Sequence, residues 1–581
     1  VESFCIANTN NTNQGDYAVA AGYQAGSTDQ GDYAVAIGSE AGKTAQGTKS
    51  IAIGERAGKT GQANLCIAIG NLAGETAQTV NSIAIGTEAG KTAQDSNALA
   101  IGGYAGTDTQ GANAIAIGFS SGLTNQQASS IAIGSSAGRI TQSTESIAIG
   151  SSAGYQTQQD RCIALGFQAG QQNQSTTCVA IGNNAGNSNQ GSTSIAVGGD
   201  AGNADQGEKC IAIGFEAGYT TQANDAIAIG DNAGKVSQGT NAIAMGYTAG
   251  FTSQLAYSVA IGFEAGKTSQ GSNVIGGDVD PCAVAIGRKC GSTNQEVYAV
   301  AIGHEAGVTG QKRSAVAIGR LAGNSNQNFN AVAIGRIAGQ IDQSEGGIAI
   351  GYDSANDTQG IRAIAIGVGA GKVTQSTNAI AIGQIAGRTA QGDSAIAIGQ
   401  NAGNDTQGTN SIAIGKDSGK TTQNSEAIAI GTEAGFSTQS TDAIAIGRTA
   451  GYGTQSLQSI AIGAEAGYNS QLQNAVAIGY QAGNASQGDS ALALGYQAGS
   501  VNQSTNAIAV GNSAGANSQG QRSIAIGYLA GNDTQNQNSI AIGNNTAVTS
   551  QNQKSIAIGY FAGSNTQSFS SIAIGEESGK T

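Results

Sequence analysis

Residues 81–96 read NSIAIGTEAGKTAQDS, and the same unit returns every sixteen residues. Its central Gly is Gly86. The equivalent Gly is Gly22 in AVAAG, Gly38 in AVAIG and Gly54 in SIAIG, and the spacing runs unbroken to Gly262. It resumes at Gly287 and continues to Gly575, giving 35 copies. A short unit repeated this strictly is one supersecondary element stacked on itself, a solenoid rod. Within the unit, Ile83 and Ile85 alternate with Ser82 and Ala84. That is period two, the pattern of a strand with one buried face. Gly86 ends the strand, Ala89-Gly90 makes a corner, Lys91–Gln94 reads as a second, weaker strand, and Asp95–Asn97 has the composition of a return turn. The fold expected is all-β: a parallel β-solenoid, or β-roll, of about 35 sixteen-residue coils. A helix is excluded, because Ile-Ala-Ile-Gly has no 3.6-residue period and puts Gly where a helix is weakest.

Two columns never vary. One is Gln, eight residues after the Gly: Gln46, Gln62, Gln78, Gln94, Gln110 and onward. Either its amides bond from coil to coil as a buried ladder, or each bonds its own turn. The other is Ala between the two branched residues: Ala36, Ala52, Ala68, Ala84, Ala100 and onward. With the Ile side chains taken as inward, this Ala points outward. The small residue four before the Gly, usually Ser, Ala or Cys, points outward with it. A face of small residues then suits close approach by another copy of the rod. The other reading is that Ala suits a tight single-chain roll.

Composition narrows the function. Charged residues are 11% and the net charge is −13, with no basic stripe to neutralise phosphates, so nucleic acid is not an expected partner. No apolar run reaches the ~18 residues of a membrane span. With one His, His304, and no Ser-His-Asp or Cys-His arrangement, no enzyme, metal or cofactor is expected. Cys66, Cys162, Cys178 and Cys210 all occupy the small position before the motif, as space-filling residues. The chain starts at VESFC and stops inside a repeat, as a processed or partial chain would.

These motifs resemble the head domain of YadA-type trimeric autotransporter adhesins, whose repeat carries NSVAIG or SIAIG. Here SIAIG starts at Ser50, Ser82, Ser130 and Ser146, and AVAIG at Ala34, Ala299 and Ala315. The resemblance implies a left-handed β-roll and a homotrimer with the small residue toward its neighbours. The unit here is sixteen residues rather than the family's usual fourteen, with an added Gln column. Neither heptads nor the alternating strands of a lipid-facing barrel occur in the sequence. Similar arrays are found in fibre proteins of phages and giant viruses.

The expected organisation is one continuous solenoid, with coils over 1–273, an inserted loop at 274–282 and coils over 283–581. The loop, with Asp278 and Asp280, is a plain loop, a binding knob, a hinge or a metal-binding tip. Aromatics just after the motif Gly, among them Phe119, Phe167, Phe215, Tyr247 and Phe263, are either surface contacts or corner packing. The function expected is a structural or adhesive fibre on a cell or virion surface, extracellular, self-associating, and able to contact a host protein or glycan. The alternative is an extracellular filament stacked end to end. An ice-binding solenoid needs a flat Thr column. Thr44, Thr60, Thr76 and Thr92 begin one, but Ile140, Gln156, Gln172, Ala204 and Val236 end it.

Overall fold

Ile83, Ala84 and Ile85 form a three-residue strand that lies parallel to Leu99–Ile101, residue on residue, one coil later. The computed structural model describes residues 3–6, 12–272 and 281–580. In them every coil follows one path. A motif strand such as Ile83–Ile85 leads to Gly86, whose φ of 131° turns the chain. A tight turn through Glu88 and Gly90, both left-handed at φ 56° and 53°, reverses it. In most coils a second short strand, here Ala93–Gln94, runs back; at Gln126, Gln359, Gln375 and Gln503 it is reduced to a single bridge. The return turn places Asn97 at φ 59°. Asn tolerates that region better than other residues with a Cβ, and it recurs at the same point as Asn81, Asn113 and Asn241.

Backbone hydrogen bonds run from coil to coil even through the turns. Ile83 N donates to Ala98 O at 2.9 Å, Gly90 N to Ala105 O at 2.8 Å and Asp95 N to Gln110 O at 2.8 Å. The polar backbone is thus satisfied by the neighbouring coil, and a lone coil would satisfy very little of it.

The chain divides into two units, Val1–Tyr298 and Ala299–Thr581. In the first, motif strands stack in parallel from Phe4–Ile6 to Val284–Ile286. In the second they stack from Val300–Ile302 to Ile572–Ile574. The insertion interrupts the sequence but not the stack of the first unit. Val259–Ile261 pairs directly with Val284–Ile286, and Gln270 Nε2 still reaches Gln295 Oε1 at 3.2 Å. Extra residues at a corner leave the stacked strands in register. Residues 274–280 of the expected loop, with Asp278 and Asp280, lie outside the described residues.

The inside of the coil differs from the expectation. Ala84 is fully buried within a single chain, while Ile83 and Ile85 are half-exposed on the outer side of the strand. The same holds at Ala36, Ala52, Ala68 and Ala100, which join one continuous Ala core with Ala41, Ala57, Ala73 and Ala89. The small residue four before the Gly is also inside, as Ser82, Cys66 and Ala98 show. The whole alternation is therefore turned over relative to the sequence reading. The reason is space. A Cβ placed on Gly90 would sit 3.2 Å from the Ala84 methyl and 2.9 Å from Gln94 Oε1. The two walls of the coil are that close, so only methyl-sized groups fit between them.

The motif Gly is fixed by the stack. A Cβ on Gly86 would lie 2.5 Å from the backbone oxygen of Gly102 in the next coil, at a φ that L-residues avoid. Gly86→Ala is expected to cost about 3 kcal/mol through strain and displacement of that backbone. Amide hydrogen exchange should rise in the coils on either side. Gly103→Ala, where nothing lies closer than 3.6 Å to the added methyl, should leave exchange unchanged.

Candidate functional site

Three surfaces of the coil carry chemistry: the interior, the Ile face and the charged corner. The interior is built around Gln. Gln94 is buried, and its Nε2 donates across the coil to Ile83 O at 2.7 Å, to Ala98 O at 3.3 Å and up the stack to Gln110 Oε1 at 3.0 Å. Its own Oε1 accepts from Gln78 Nε2 at 3.0 Å. Gln46, Gln62, Gln78 and Gln110 bond in the same way. The amides form a ladder parallel to the stack, and the same side chains tie one wall of each coil to the other. In the ladder, Gln206 Oε1 and Gln407 Oε1 have no hydrogen-bond partner. Among the described residues the largest fully buried side chains are these glutamines. The buried apolar residues among those described are Ala and Cys, with Val297 the one larger member.

Gln94→Leu keeps the volume but leaves Gln78 Nε2 and Gln110 Oε1 without their partner. Each orphaned amide group should cost about 1–3 kcal/mol. Thermal unfolding and local hydrogen exchange should both report the loss. Gln384→Leu, on the exposed corner, should change neither.

The Ile face is what the sequence reading missed as a surface. Ile37 is 41% exposed, Ile213 38% and Ile526 38%. Over all 35 copies the two outward positions hold only Ile, Val, Leu, Met245 and Ala21. The stripe of Ala, expected to face outward, has no exposed surface to offer another molecule. The signal was present in the sequence: columns free of any polar residue flanked a column free of any large one.

The YadA head domain repeat (2 copies) matches residues 14–41, 503–530 and 535–562. In these three stretches the chain is similar to the YadA head domain repeat. Each matched stretch spans two motif glycines: Gly22 and Gly38, Gly511 and Gly527, Gly543 and Gly559. Comparison with curated proteins gives no match.

The corner of the coil carries its charges. Carboxylates two residues after the Gly meet lysines five after it, in the same or the next coil. Lys43 Nζ and Lys59 Nζ reach Glu40 at 2.7 and 2.8 Å. Lys235 reaches Glu216 at 2.6 Å, and Lys420 reaches Asp417 at 2.9 Å. Aromatics share this column. Lys235 Nζ lies 5.8 Å from the Tyr219 ring and 5.4 Å from Phe251, a cation between two faces. Phe436, Tyr452 and Tyr468 stack at 4.7 and 4.9 Å, with Lys420 over the first ring at 4.9 Å. The aromatics just after the Gly are exposed, and some also pack along the stack. Phe119, Phe167, Phe215, Tyr247 and Phe263 are all exposed, yet Tyr247 stacks on Phe263 at 5.2 Å and Tyr104 meets Phe119 edge-on at 5.7 Å.

Buried thiols sit in the small interior slot. Cys162 Sγ and Cys178 Sγ donate to backbone carbonyls of the return turns, and Cys178 N donates to Cys162 Sγ at 3.4 Å. The Cys162 thiol is pushed up by the neighbouring Cys178 and by burial. Burial alone pushes Cys290 up to about 12. These cysteines are free. Among the described residues no group of three or more His, Cys, Asp and Glu is placed to hold a metal ion.

The hydrogen bonds from Lys43 and Lys59 hold the Glu40 carboxyl down at about 2, from an ordinary 4.5. The fold therefore favours the ionised form. The stability Glu40 contributes is full above pH 4.5 and drains away as pH falls toward 2. Replacing Lys43 and Lys59 together by Met should lower the melting temperature at pH 7. The gap to the unaltered protein should close as melting is followed down to pH 2.

Proposed function

We propose that this protein is a structural, adhesin-type fibre of a cell or virion surface, a homotrimer of left-handed β-rolls assembled through their Ile/Val faces. The observation that carries the reading is the outward pair of columns without a polar residue in 35 copies. Solvated positions of the same coil rotate freely, as Glu88 and Lys91 do against their counterparts Tyr104 and Thr107. A side chain left in water has no reason to stay aliphatic over so many copies.

Energetics point the same way. Inside one coil the apolar gain is a few methyl groups, at about 0.8 kcal/mol each. Fully burying one Ile is worth about 1.5–3 kcal/mol. Covering two half-exposed Ile side chains per coil therefore adds an amount comparable to the whole Ala interior. A self-complementary stripe on identical rods closes about a symmetry axis, and three chains is the number that the YadA-type repeats support. Surface location rests on the same repeats. Attachment to a host protein or glycan would come from many weak contacts along the rod, which multiply through effective concentration. The end-stacked filament and the ice-binding surface have no comparable support. Thr76 Oγ1 donates to Thr92 O at 2.7 Å, so its hydroxyl is engaged within the rod.

Light scattering coupled to size exclusion should give three times the chain mass. Ile85→Arg, Ile101→Arg and Ile117→Arg in one chain should lower that mass toward a single chain. Arg at the exposed Asn71, Thr87 and Ser135 should leave it unchanged. A mass of one chain for the unaltered protein, or an unaltered mass for the Ile variants, would sink the proposal.

A further inference from the structure

Phe119, Phe167, Phe215 and Phe263 each follow a motif Gly directly, and no other motif Gly in the chain is followed by Phe. Successive members are three coils apart without exception. At about 4.8 Å per coil the pitch is about 14 Å. All four lie in the unit Val1–Tyr298, and they are 58%, 51%, 52% and 41% exposed. The rings are seated against the coil before them. Phe119 Cδ2 is 3.6 Å from where a Cβ on Gly103 would stand, and Phe215 Cδ2 is 3.3 Å from that of Gly199. Phe263 rests on Tyr247, with 14° between the planes. Two coils separate each ring from the next. In the first gap the equivalent residues are Ser135 and Ser151, and in the second Asn183 and Gly199. The last gap holds Asp231 and Tyr247, the second of which thickens the final tooth.

We infer that this comb is a lateral docking surface for a second copy of the rod, the rings of one comb entering the two-coil gaps of the other. The constant pitch is the deciding observation. Isolated exposed rings are ordinary, but a fixed spacing serves only a partner with the same spacing. A second copy has it by construction, whatever the true rise per coil. The first two gaps hold the small or polar Ser135, Ser151, Asn183 and Gly199 where an incoming ring must fit, Tyr247 narrows the third, and each inserted ring gains two aromatic or backbone faces. The four teeth act together, so contacts that are weak singly become cooperative along the rod. The net charge of −13 opposes approach of two rods, so salt strengthens the association by screening.

Sedimentation velocity on the full chain, over a concentration series at low and high salt, tests this. The expected result is a base species whose mass is set by the Ile face, and a second species of twice that mass. The second species should grow with concentration and with salt. Replacing all four Phe by Ser should weaken the doubling at least tenfold and leave the base mass alone. A second variant, Phe167→Ser with Ser151→Phe, keeps four rings and the same composition but puts one tooth a coil out of pitch. It should also weaken doubling at least tenfold.

Three results would overturn the inference: no species above the base mass in the unaltered protein, an off-pitch variant that doubles as well as the unaltered chain, or a comb variant that changes the base mass. If the homotrimer reading fails, the base species is a single chain, and the pitch comparison is read in the same way.

Discussion

The side-chain amide of Gln is the interaction on which the rest depends. Gln94 is held by the strand opposite, by its own turn, and by the amides of the coils above and below. One side chain does the work that a hydrophobic core does elsewhere, and it does so in a space two walls wide. A buried amide is tolerable only when its donors and acceptor are engaged. The ladder meets that demand along most of its length because each Gln presents the partner that its neighbour needs; Gln206 Oε1 and Gln407 Oε1 are the exceptions. Once Gln occupies the interior, the neighbouring positions have no freedom left. Ala84 and Ala89 supply methyls, Ser82 a hydroxyl-sized group, and Gly90 an absent side chain, because the amide takes the remaining volume.

A thin interior has a consequence for the outside. The aliphatic side chains of the motif have nowhere to go but outward, so the coil shows water the face that a globular strand would hide. Backbone and amide ladders hold coil to coil within a chain, and the aliphatic stripe stays half-exposed. Turns add to the ladders. Left-handed residues such as Asn97 and Gly90 set the corners, and their backbone groups bond the adjacent coil. For this reason Val259–Ile261 and Val284–Ile286 pair in register despite the residues inserted between them.

The corners are where copies differ, and so where individuality lies. Ion pairs such as Glu40 with Lys43 and Lys59, sandwiches such as Lys235 between Tyr219 and Phe251, and the Phe436–Tyr452–Tyr468 stack all use one fact. Equivalent side chains in adjacent coils stand about 4.8 Å apart, close to the spacing of stacked rings. A repeat protein can therefore write a pattern along its length by choosing one residue per coil, as the phenylalanine comb does.

The residues alone determined the period, the parallel stack, the two strands per coil, the corner glycines and an invariant Gln column for which a ladder was one of two readings. Each follows from a local preference repeated many times: alternation for strands, Gly and Asn for positive φ, an invariant amide for a ladder. Sidedness was not legible. Ser82-Ile83-Ala84-Ile85 alternates equally well with either face inward, and period two carries no mark of which side is the interior. Reading the larger apolar residues as core put Ala84 outside, which is the usual outcome in a globular sheet and the wrong one here. Only the closed coil decided it, because the distance between its walls admits a methyl and an amide but not an isoleucine.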